Sequence, residues 1–248
     1  MKILLSGIKG FMGKEVVNLC NAGVRDAVIT AGVDINADGS ESIPCVKTFE
    51  EANADVDCII DFSHFSLTED LLRFAVENHL PLVLATTGQS PEQKELIKQA
   101  SKEIPLFFAA NYSLGIALLI ELAKKTAQTF PDADIEIVET HHNRKVDAPS
   151  GTALAIFEAI KQVRQKAVSK LGRSGVCKRT HEEIGIHAVR MANVAGIHEV
   201  IVGTANQTIT LKHEAHSRAL FAEGALAAAQ FLVRKGPGLY QMNDLIEL

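Results

Sequence analysis

The first 110 residues alternate short apolar segments with longer amphipathic ones, and this alternation restricts the possible folds most. The apolar segments predict strands, and the amphipathic ones, bounded by Gly, Pro, Ser or Asp, predict helices. The predicted strands cover residues 2–6, 27–33, 57–61, 82–85 and 105–108, and the helices cover 12–21, 65–78 and 91–102. Repeated strand–helix–strand units form parallel sheets. The sequence therefore predicts a doubly wound α/β domain here.

The pattern changes after residue 112. Helices are predicted at 115–129 and from Ser150 onward, and strands at 134–140, 184–190, 199–203 and 208–213. Short turns join the last three strands, so a helix with consecutive hairpins predicts an α+β second domain. A final Ala-rich helix, 219–234, and a Gly-Pro-Gly tail are expected to pack back on the first domain. We assign residues 1–112 and 218–248 to the first domain and 113–217 to the second.

Composition excludes several classes of protein. The chain has 248 residues, 47% of them hydrophobic, and a net charge of -5, which gives no broad attraction to nucleic acid or to an anionic membrane. Its apolar runs are too short for a signal peptide or a membrane span. The four cysteines and the scattered histidines lack the spacing of a metal site. We expect a cytoplasmic protein with reduced, mostly buried thiols and no bound metal.

A glycine-rich turn, Gly7-Ile8-Lys9-Gly10-Phe11-Met12-Gly13, lies between the first strand and the first helix. Such a turn brings backbone N–H groups against a pyrophosphate, although a tight turn without a ligand would look the same. Asp34 ends the second strand, where an acid receives ribose hydroxyls, and two further segments end strands at the same edge. The candidate cofactor-binding residues are Gly7, Ile8, Lys9, Gly10, Phe11, Met12, Asp34, Ala85, Thr86, Thr87, Ala109, Ala110, Asn111 and Tyr112.

The residue after Asp34 bears on the choice of dinucleotide. Ile35 stands there instead of an arginine, so the usual partner of an NADP 2′-phosphate is missing at that position. Lys9 is the remaining cation for that phosphate. We expect NADH to bind well, with NADPH as the second candidate cofactor.

A second cluster, residues 141–152, follows the strand predicted at 134–140. It holds two imidazoles, two fixed cations and a turn that opens a helix at Ser150. An imidazole titrates near neutral pH, a lysine can protonate or hold an anion, and a helix N-terminus attracts carboxylates. The cluster predicts a site that binds an anion and moves a proton, and a solvated charged loop is the alternative.

These residues together resemble one family, the 4-hydroxy-tetrahydrodipicolinate (dihydrodipicolinate) reductases of the diaminopimelate route to lysine. The resemblance covers essentially the whole chain, and its most specific part is Lys145-Val146-Asp147-Ala148-Pro149-Ser150-Gly151-Thr152-Ala153. The other matching segments are the glycine turn, Asp61-Phe62-Ser63, Ala85-Thr86-Thr87-Gly88, Ala109-Ala110-Asn111-Tyr112-Ser113, Glu139-Thr140-His141-His142, Ser217-Arg218 and Phe221-Ala222. The chain departs from the common family pattern at Ile35 and Ala85.

The resemblance implies a reaction, an architecture and residue roles. The reaction is NAD(P)H-dependent hydride transfer to a cyclic dicarboxylate, with loss of water from its hydroxylated precursor. The architecture is a Rossmann-like doubly wound domain plus an α+β domain for substrate binding and oligomerisation, in a homotetramer. By position, His141 resembles the general acid/base and Lys145 its partner proton donor, while His142, Gly151 and Thr152 resemble the binders of the substrate carboxylates.

Two other functions share the same sequence features. One is another Rossmann-type dehydrogenase of amino-acid biosynthesis, although a semialdehyde dehydrogenase needs an activated cysteine and none of the four lies in such a setting. The other is a non-catalytic dinucleotide-sensing protein. The presence of His141 together with Lys145 argues against a lost activity.

Overall fold

A computed structural model describes residues 1–40, 42–53 and 55–246. The chain forms two compact units. The first consists of Met1–Leu114 and Arg218–Leu248, and the second is Gly115–Ser217. Each unit has its own hydrophobic core.

The first unit is built around a seven-stranded sheet in which all the described strand pairs are parallel. Its strands, in the order in which they lie in the sheet, are β12 (Gly238–Tyr240), β6 (Pro105–Phe108), β5 (Leu82–Leu84), β4 (Cys58–Asp61), β1 (Lys2–Ser6), β2 (Val28–Val33) and β3 (Cys45–Val46). Its helices are α1 (Phe11–Asn21), α2 (Thr68–Glu77), α3 (Pro91–Ala100) and α6 (Ala219–Leu232). This confirms the predicted doubly wound fold.

The central strands of this sheet are almost continuously apolar because layers cover both of its faces. Ile3, Leu4 and Leu5 of β1 are completely buried. The chain crosses from β1 to β2 on one side and places β4 on the other, so the sheet has a switch point at β1. Ligands of open parallel sheets bind at the carboxyl edge of such a point.

The C-terminal segment, from Arg218, belongs to this unit. Helix α6 supplies buried residues to the unit, and β12 pairs with β6 in parallel register. The sequence did not predict β12 or β3 as strands. Both have only two or three residues, too few for a period-2 pattern to be recognised.

The second unit is a five-stranded mixed sheet with two helices. The strands in spatial order are β11 (Thr208–Ala215), β10 (Gly196–Gly203), β7 (Asp134–His141), β9 (Glu183–Arg190) and β8 (Val168–Leu171), and the helices are α4 (Leu114–Thr129) and α5 (Gly151–Val163). The core joins these layers through Ile135 and Ile137 of β7 and Ile156 and Ile160 of α5, all completely buried. This confirms the predicted α+β class.

The predicted run of consecutive hairpins was wrong in one respect. Strand β7 lies between β9 and β10, parallel to the first and antiparallel to the second, so only β10 and β11 form a hairpin. In this central place both edges of β7 are paired, which satisfies its backbone N–H and C=O groups, while Ile135 and Ile137 on one of its faces are buried. Strand β8 was missed because all four of its residues are exposed.

The thiols are free, but only Cys58 is buried; Cys20 and Cys45 are half-buried and Cys177 is exposed. The expectation of mostly buried thiols was therefore wrong, because three of the four lie on short or peripheral elements. Within the described part of the chain, no helix combines the length and apolar character needed to cross a membrane.

Candidate functional site

A glycine turn connects the carboxyl end of β1 to α1. Gly7 has a φ of +78°, and a Cβ there would lie 2.5 Å from the carbonyl oxygen of Phe62. A Cβ on Gly13 would lie 2.2 Å from the carbonyl oxygen of Gly7, so neither position accepts a side chain. No described side chain caps α1, which begins after Gly10. The first amides of the helix are therefore available to an anion, and the turn fits a pyrophosphate.

Asp34 follows β2 and is held beside this turn. Its Oδ2 accepts a hydrogen bond from the backbone N–H of Lys9 at 2.9 Å, and its Oδ1 accepts from the backbone N–H of Asn36 at 3.0 Å. These bonds fix a carboxylate at the end of the strand, where it can accept from a ribose hydroxyl. The Lys9 Nζ donates to the Asn36 carbonyl oxygen at 2.8 Å and pairs with Asp38 at 3.1 Å. Ile35 is 67% exposed.

A cleft of about 270 Å³ lies at the carboxyl edge of the same sheet. Its walls come from the glycine turn, from the ends of three strands and from α6. The lining residues are Met12, Phe62, Ala85, Thr87, Ala110, Asn111, Tyr112 and Phe221. Six of these eight were predicted as cofactor-binding residues, while Phe62 and Phe221 were not. Phe62 could have been found, because it directly follows β4 at the same edge.

The remaining predicted cofactor residues take different positions. The side chain of Ile8 is buried, so this residue offers only its main chain to the turn. Phe11 is 62% exposed, and the guanidinium carbon of Arg218 lies 6.0 Å from its ring centroid. Thr86 is buried, and its carbonyl accepts from the side-chain amide of Gln89 at 2.8 Å. Lys9, Gly10 and Ala109 lie on the segments already described.

In the second unit, His141 ends β7 and is tied to a buried carboxylate. Its Nδ1 lies 2.6 Å from Oε2 of Glu139, which is completely buried. Arg190 on β9 contacts both oxygens of Glu139, at 2.8 and 2.7 Å, in a bidentate pair. Burial alone would raise the pKa of Glu139, but its bonds to Arg190, His141 and the backbone of Ser150 outweigh this and lower it. Glu139 is therefore a carboxylate.

The start of α5 lies next to this group. Ser150 is the N-cap, and its Oγ accepts from the backbone N–H of Ala153 at 3.2 Å. Gly151 and Thr152 form the first turn, where the backbone N–H groups and the helix dipole favour an anion. A Cβ on Gly151 would meet no atom within 4 Å, so this end of the helix is open. The Ser150 Oγ also lies 3.0 Å from Nε2 of His198 on β10.

Lys145 lies in the loop between β7 and α5. Its backbone N–H donates to the carbonyl oxygen of His142 at 3.1 Å, and its Nζ pairs with Asp147 at 2.9 Å. This bond lowers the pKa of Asp147. Burial lowers the pKa of His198 to about 4, and the charges of His141 and Lys145 act in the same direction. Both predicted proton donors are thus within electrostatic reach of one buried imidazole.

The buried His198 makes the second unit sensitive to acid. Its ordinary pKa of 6.5 falls to about 4, so the unfolded chain binds a proton between these values that the folded chain does not. The contribution of His198 to the free energy of unfolding is therefore fully present above pH 6.5. It is lost as the pH falls through 4, by about 3 kcal/mol in total. Urea unfolding of wild type and His198→Gln at pH 7.5 and pH 4.5 measures this. An equal decrease in the free energy of unfolding between the two pH values in wild type and variant would contradict the prediction.

Sequence reasoning did not single out Glu139 and Arg190 as site residues, and it left out His198. A signal existed for Glu139 because residues two apart on a strand share a face, and Glu139 precedes His141 by two. Arg190 lies 51 residues beyond Glu139, on β9, and His198 lies further along the chain, on β10. Only the pairing of both strands with β7 brings them to the same place.

Three features define a Rossmann-type dinucleotide-binding protein: a turn that needs glycine at positions 7 and 13, an acid at the end of the second strand, and a cleft at the switch point of the sheet. The imidazole, ammonium and open helix start in the second unit add groups for proton transfer, which is typical of an oxidoreductase. Two family models match nearly the whole chain: the N-terminal model of dihydrodipicolinate reductase matches residues 1–112 and the C-terminal one matches 115–246. The chain belongs to the dihydrodipicolinate reductase family.

Curated relatives agree over the full length. A 4-hydroxy-tetrahydrodipicolinate reductase of Clostridium novyi is 43% identical over 99% of this chain and 98% of its own. The corresponding reductase of Caldanaerobacter subterraneus is 44% identical over 100% of this chain and 98% of its own. A solved dihydrodipicolinate reductase from Paenisporosarcina shares the fold, with a TM-score of 0.81, 24% identity and 99% coverage of both chains. The family is that of NAD(P)H-dependent oxidoreductases of lysine biosynthesis.

Proposed function

We propose that this chain reduces 4-hydroxy-tetrahydrodipicolinate to tetrahydrodipicolinate with NADH or NADPH, with loss of water, in the diaminopimelate route to lysine. Residues 1–112 and 218–248 bind the dinucleotide, and residues 113–217 bind the substrate. The observation that carries the proposal is the hydrogen-bonded pair of His141 and the buried Glu139 beside the open start of α5. Membership of the family supports the reaction.

The dinucleotide supplies a hydride when bound, and the first unit is suited to hold it. The glycine turn offers backbone N–H groups to the pyrophosphate. Its tight shape requires glycine at positions 7 and 13, because a Cβ there would overlap the backbone. Asp34 accepts from the adenosine ribose. The segments that line the cleft contribute main-chain groups and small side chains, and the hydroxyl of Tyr112 is occupied because it donates to the carbonyl oxygen of Leu84 at 2.9 Å.

The residues of the second unit bind the dicarboxylate and supply the proton. Gly151 and Thr152 offer backbone N–H groups to one carboxylate, and His142 contributes to the same binding. The reduction of a conjugated imine places negative charge on the ring, and an imidazolium at His141 or the ammonium of Lys145 delivers the balancing proton. The solved Paenisporosarcina reductase binds dipicolinate, a planar dicarboxylate of the same class.

The proposal is tested with substrate made freshly from pyruvate and aspartate semialdehyde, while oxidation of the reduced nicotinamide is followed by absorbance. We expect turnover that depends on both precursors. Binding of the dinucleotide without turnover would instead support a sensing protein. Oxidation of the reduced nicotinamide with aspartate semialdehyde alone would mean reduction of the aldehyde to an alcohol and would support a homoserine-type dehydrogenase. Reduction of the oxidised nicotinamide by aspartate semialdehyde, abolished by a thiol alkylator, would support a semialdehyde dehydrogenase.

The surroundings of Asp34 predict the cofactor preference. A 2′-phosphate there would face two carboxylates, Asp34 and Asp38, with Lys9 held between the Asn36 carbonyl and Asp38. Hydrogen bonds from Ser40 lower the pKa of Asp38 to about 2, so it is charged. We expect NADH to be used at least as well as NADPH, measured as kcat/KM for both.

A matched variant sharpens this measurement. Asp38→Asn removes one negative charge and the ion pair with Lys9. We therefore expect kcat/KM for NADPH to rise several-fold while kcat/KM for NADH changes little. A wild-type preference for NADPH above roughly a hundredfold, or about 2.7 kcal/mol, would contradict the interpretation of Ile35.

We also propose a homotetramer assembled through the second unit. Its edge strand β8 exposes Val168 and Leu171 at 59% and 62%, and Val189 and Met191 are exposed at 39% and 53%. An exposed edge strand with apolar side chains is a typical surface for association. Light scattering coupled to size exclusion should give four times the monomer mass of 26.8 kDa. A monomer at micromolar concentration would overturn this proposal.

A further inference from the structure

The carboxylate of Glu139 is in contact with four hydrogen-bond donor groups. Its Oε1 accepts from the backbone N–H of Ser150 at 3.0 Å and from Arg190 at 2.7 Å. Its Oε2 accepts from Arg190 at 2.8 Å and faces Nδ1 of His141 at 2.6 Å. The side chain is completely buried, so no water replaces any of these partners.

We propose that Glu139 is a positioning residue that fixes the proton of neutral His141 on Nδ1 and turns Nε2 towards the substrate. A carboxylate has no proton to donate, so the short contact requires that Nδ1 carries the hydrogen. In the neutral ring Nε2 is then the acceptor, and in the protonated ring it is the donor to the substrate. This inference rests on the proposed function, in which His141 transfers the proton.

Glu139 also connects proton transfer with substrate binding. The same carboxylate that orients His141 holds the backbone of Ser150, which caps the helix start where Gly151 and Thr152 lie. Arg190 locks both oxygens and donates further to the carbonyl oxygen of Asp147, beside Lys145. The ion pair between the buried Glu139 and the partly buried Arg190 therefore sets the positions of the proton donor and of the carboxylate-binding turn.

The charged and titratable groups around His141 come from four elements. Glu139 shares β7, Arg190 is on β9, His198 is on β10 and Lys145 is on the loop before α5. The ring of His198 stands edge-on to that of His141, with centroids 5.1 Å apart. Of these groups only Glu139 is negative, and the nearby carboxylate of Asp147 is 60% exposed and paired with Lys145 at 2.9 Å. Removal of the Glu139 charge therefore leaves the imidazolium without its direct anionic partner.

Glu139→Gln is the decisive variant. Each oxygen of Glu139 accepts from two donors. In the Gln variant one of these oxygens becomes an NH₂ group, which cannot accept and would face two donors. We expect kcat to fall on the order of 10- to 100-fold, KM for the dinucleotide to stay unchanged, and the alkaline limb of the kcat–pH profile to move to lower pH. A fall in kcat with an unmoved profile would mean a merely structural role and would overturn the proposal.

A matched control lies on the same strand. Glu136 also contacts a histidine, His187 Nε2 at 2.9 Å, and an arginine, Arg179 at 3.4 Å, but it is on the opposite face of β7. Glu136→Gln should leave the shape of the kcat–pH profile unchanged. An equal displacement of the profile in both variants would show that general charge, not the contact with His141, is responsible.

A measurement on the wild-type protein covers the case in which Glu139→Gln does not fold. Nitrogen-15 NMR of the histidine rings, with His141 assigned by comparison with His141→Gln, reports which ring nitrogen carries the proton. The Nδ1–H form at high pH supports the proposal, and the Nε2–H form overturns it. This result does not depend on turnover, so it is separate from a failure of the coupled assay, which would contradict the proposed function.

Discussion

Replacement of Lys145 by alanine should lower kcat by about 100- to 10,000-fold, the range typical of a general acid. The ammonium group is one of two cationic proton donors in the proposed site; the Lys145 side chain is only 20% exposed, and its Nζ pairs with Asp147 at 2.9 Å. The dinucleotide site is built from residues of the first unit. Affinity for NADH should therefore change little, as measured by fluorescence titration alongside steady-state kinetics.

Arg144→Ala is the matched control for this variant. Arg144 is the adjacent cation on the same loop, but its guanidinium donates to the side-chain oxygen of Asn193 at 2.8 Å on the exposed surface. We expect kcat within about two- to threefold of wild type, because surface substitutions away from a site cost little. Turnover of Lys145→Ala equal to that of Arg144→Ala would remove Lys145 from the mechanism.

The second large effect is expected for Gly224→Ala, which should destabilise the protein by about 3 kcal/mol or more. Gly224 lies in α6, and a Cβ there would sit 1.7 Å from the carbonyl oxygen of Tyr112, which is backbone and cannot rotate away. Helix propensity alone would favour alanine by about 1 kcal/mol. The overlap outweighs this gain, so the sign of the effect is decided by packing. Urea unfolding followed by circular dichroism measures it.

Gly236→Ala is the control for steric overlap. A Cβ at Gly236 would meet no atom within 4 Å, so stability should change by less than about 0.5 kcal/mol. In Gly224→Ala the helix must shift away from Tyr112, which lines the cofactor cleft together with Phe221 of the same helix. Weaker NADH binding should therefore accompany the lost stability. An unchanged unfolding midpoint would show that α6 moves at no cost.

Much of the first unit follows from local sequence. The predicted strands at 2–6 and 105–108 have the bounds that the structure gives, and the others differ by one residue at an end. Buried parallel strands are apolar throughout, and glycine and proline mark their ends, so each signal lies within a few residues. The short strands β3 and β12 were not predicted, because they form only by pairing with a longer neighbour.

The order of the strands in the second unit did not follow from local sequence. Three apolar runs joined by short turns indicated successive hairpins, whereas β7 lies between β9 and β10. Short connections normally place consecutive strands side by side in a sheet. Here β7 is inserted between β9 and β10 instead, where both of its edges are paired and its buried Ile135 and Ile137 pack in the core with the helices.

The sequence by itself determined the chemical inventory of this protein: a glycine-rich turn between a strand and a helix, an acid after the second strand, and His141 close to Lys145 along the chain. These depend on residue type and short spacing, which the chain carries locally. Only the tertiary structure decided which groups act on His141, because Arg190 and His198 reach it through strand pairing with β7. Hydrogen bonds to a buried carboxylate depend on distances of a few tenths of an ångström, and no spacing along the chain encodes those.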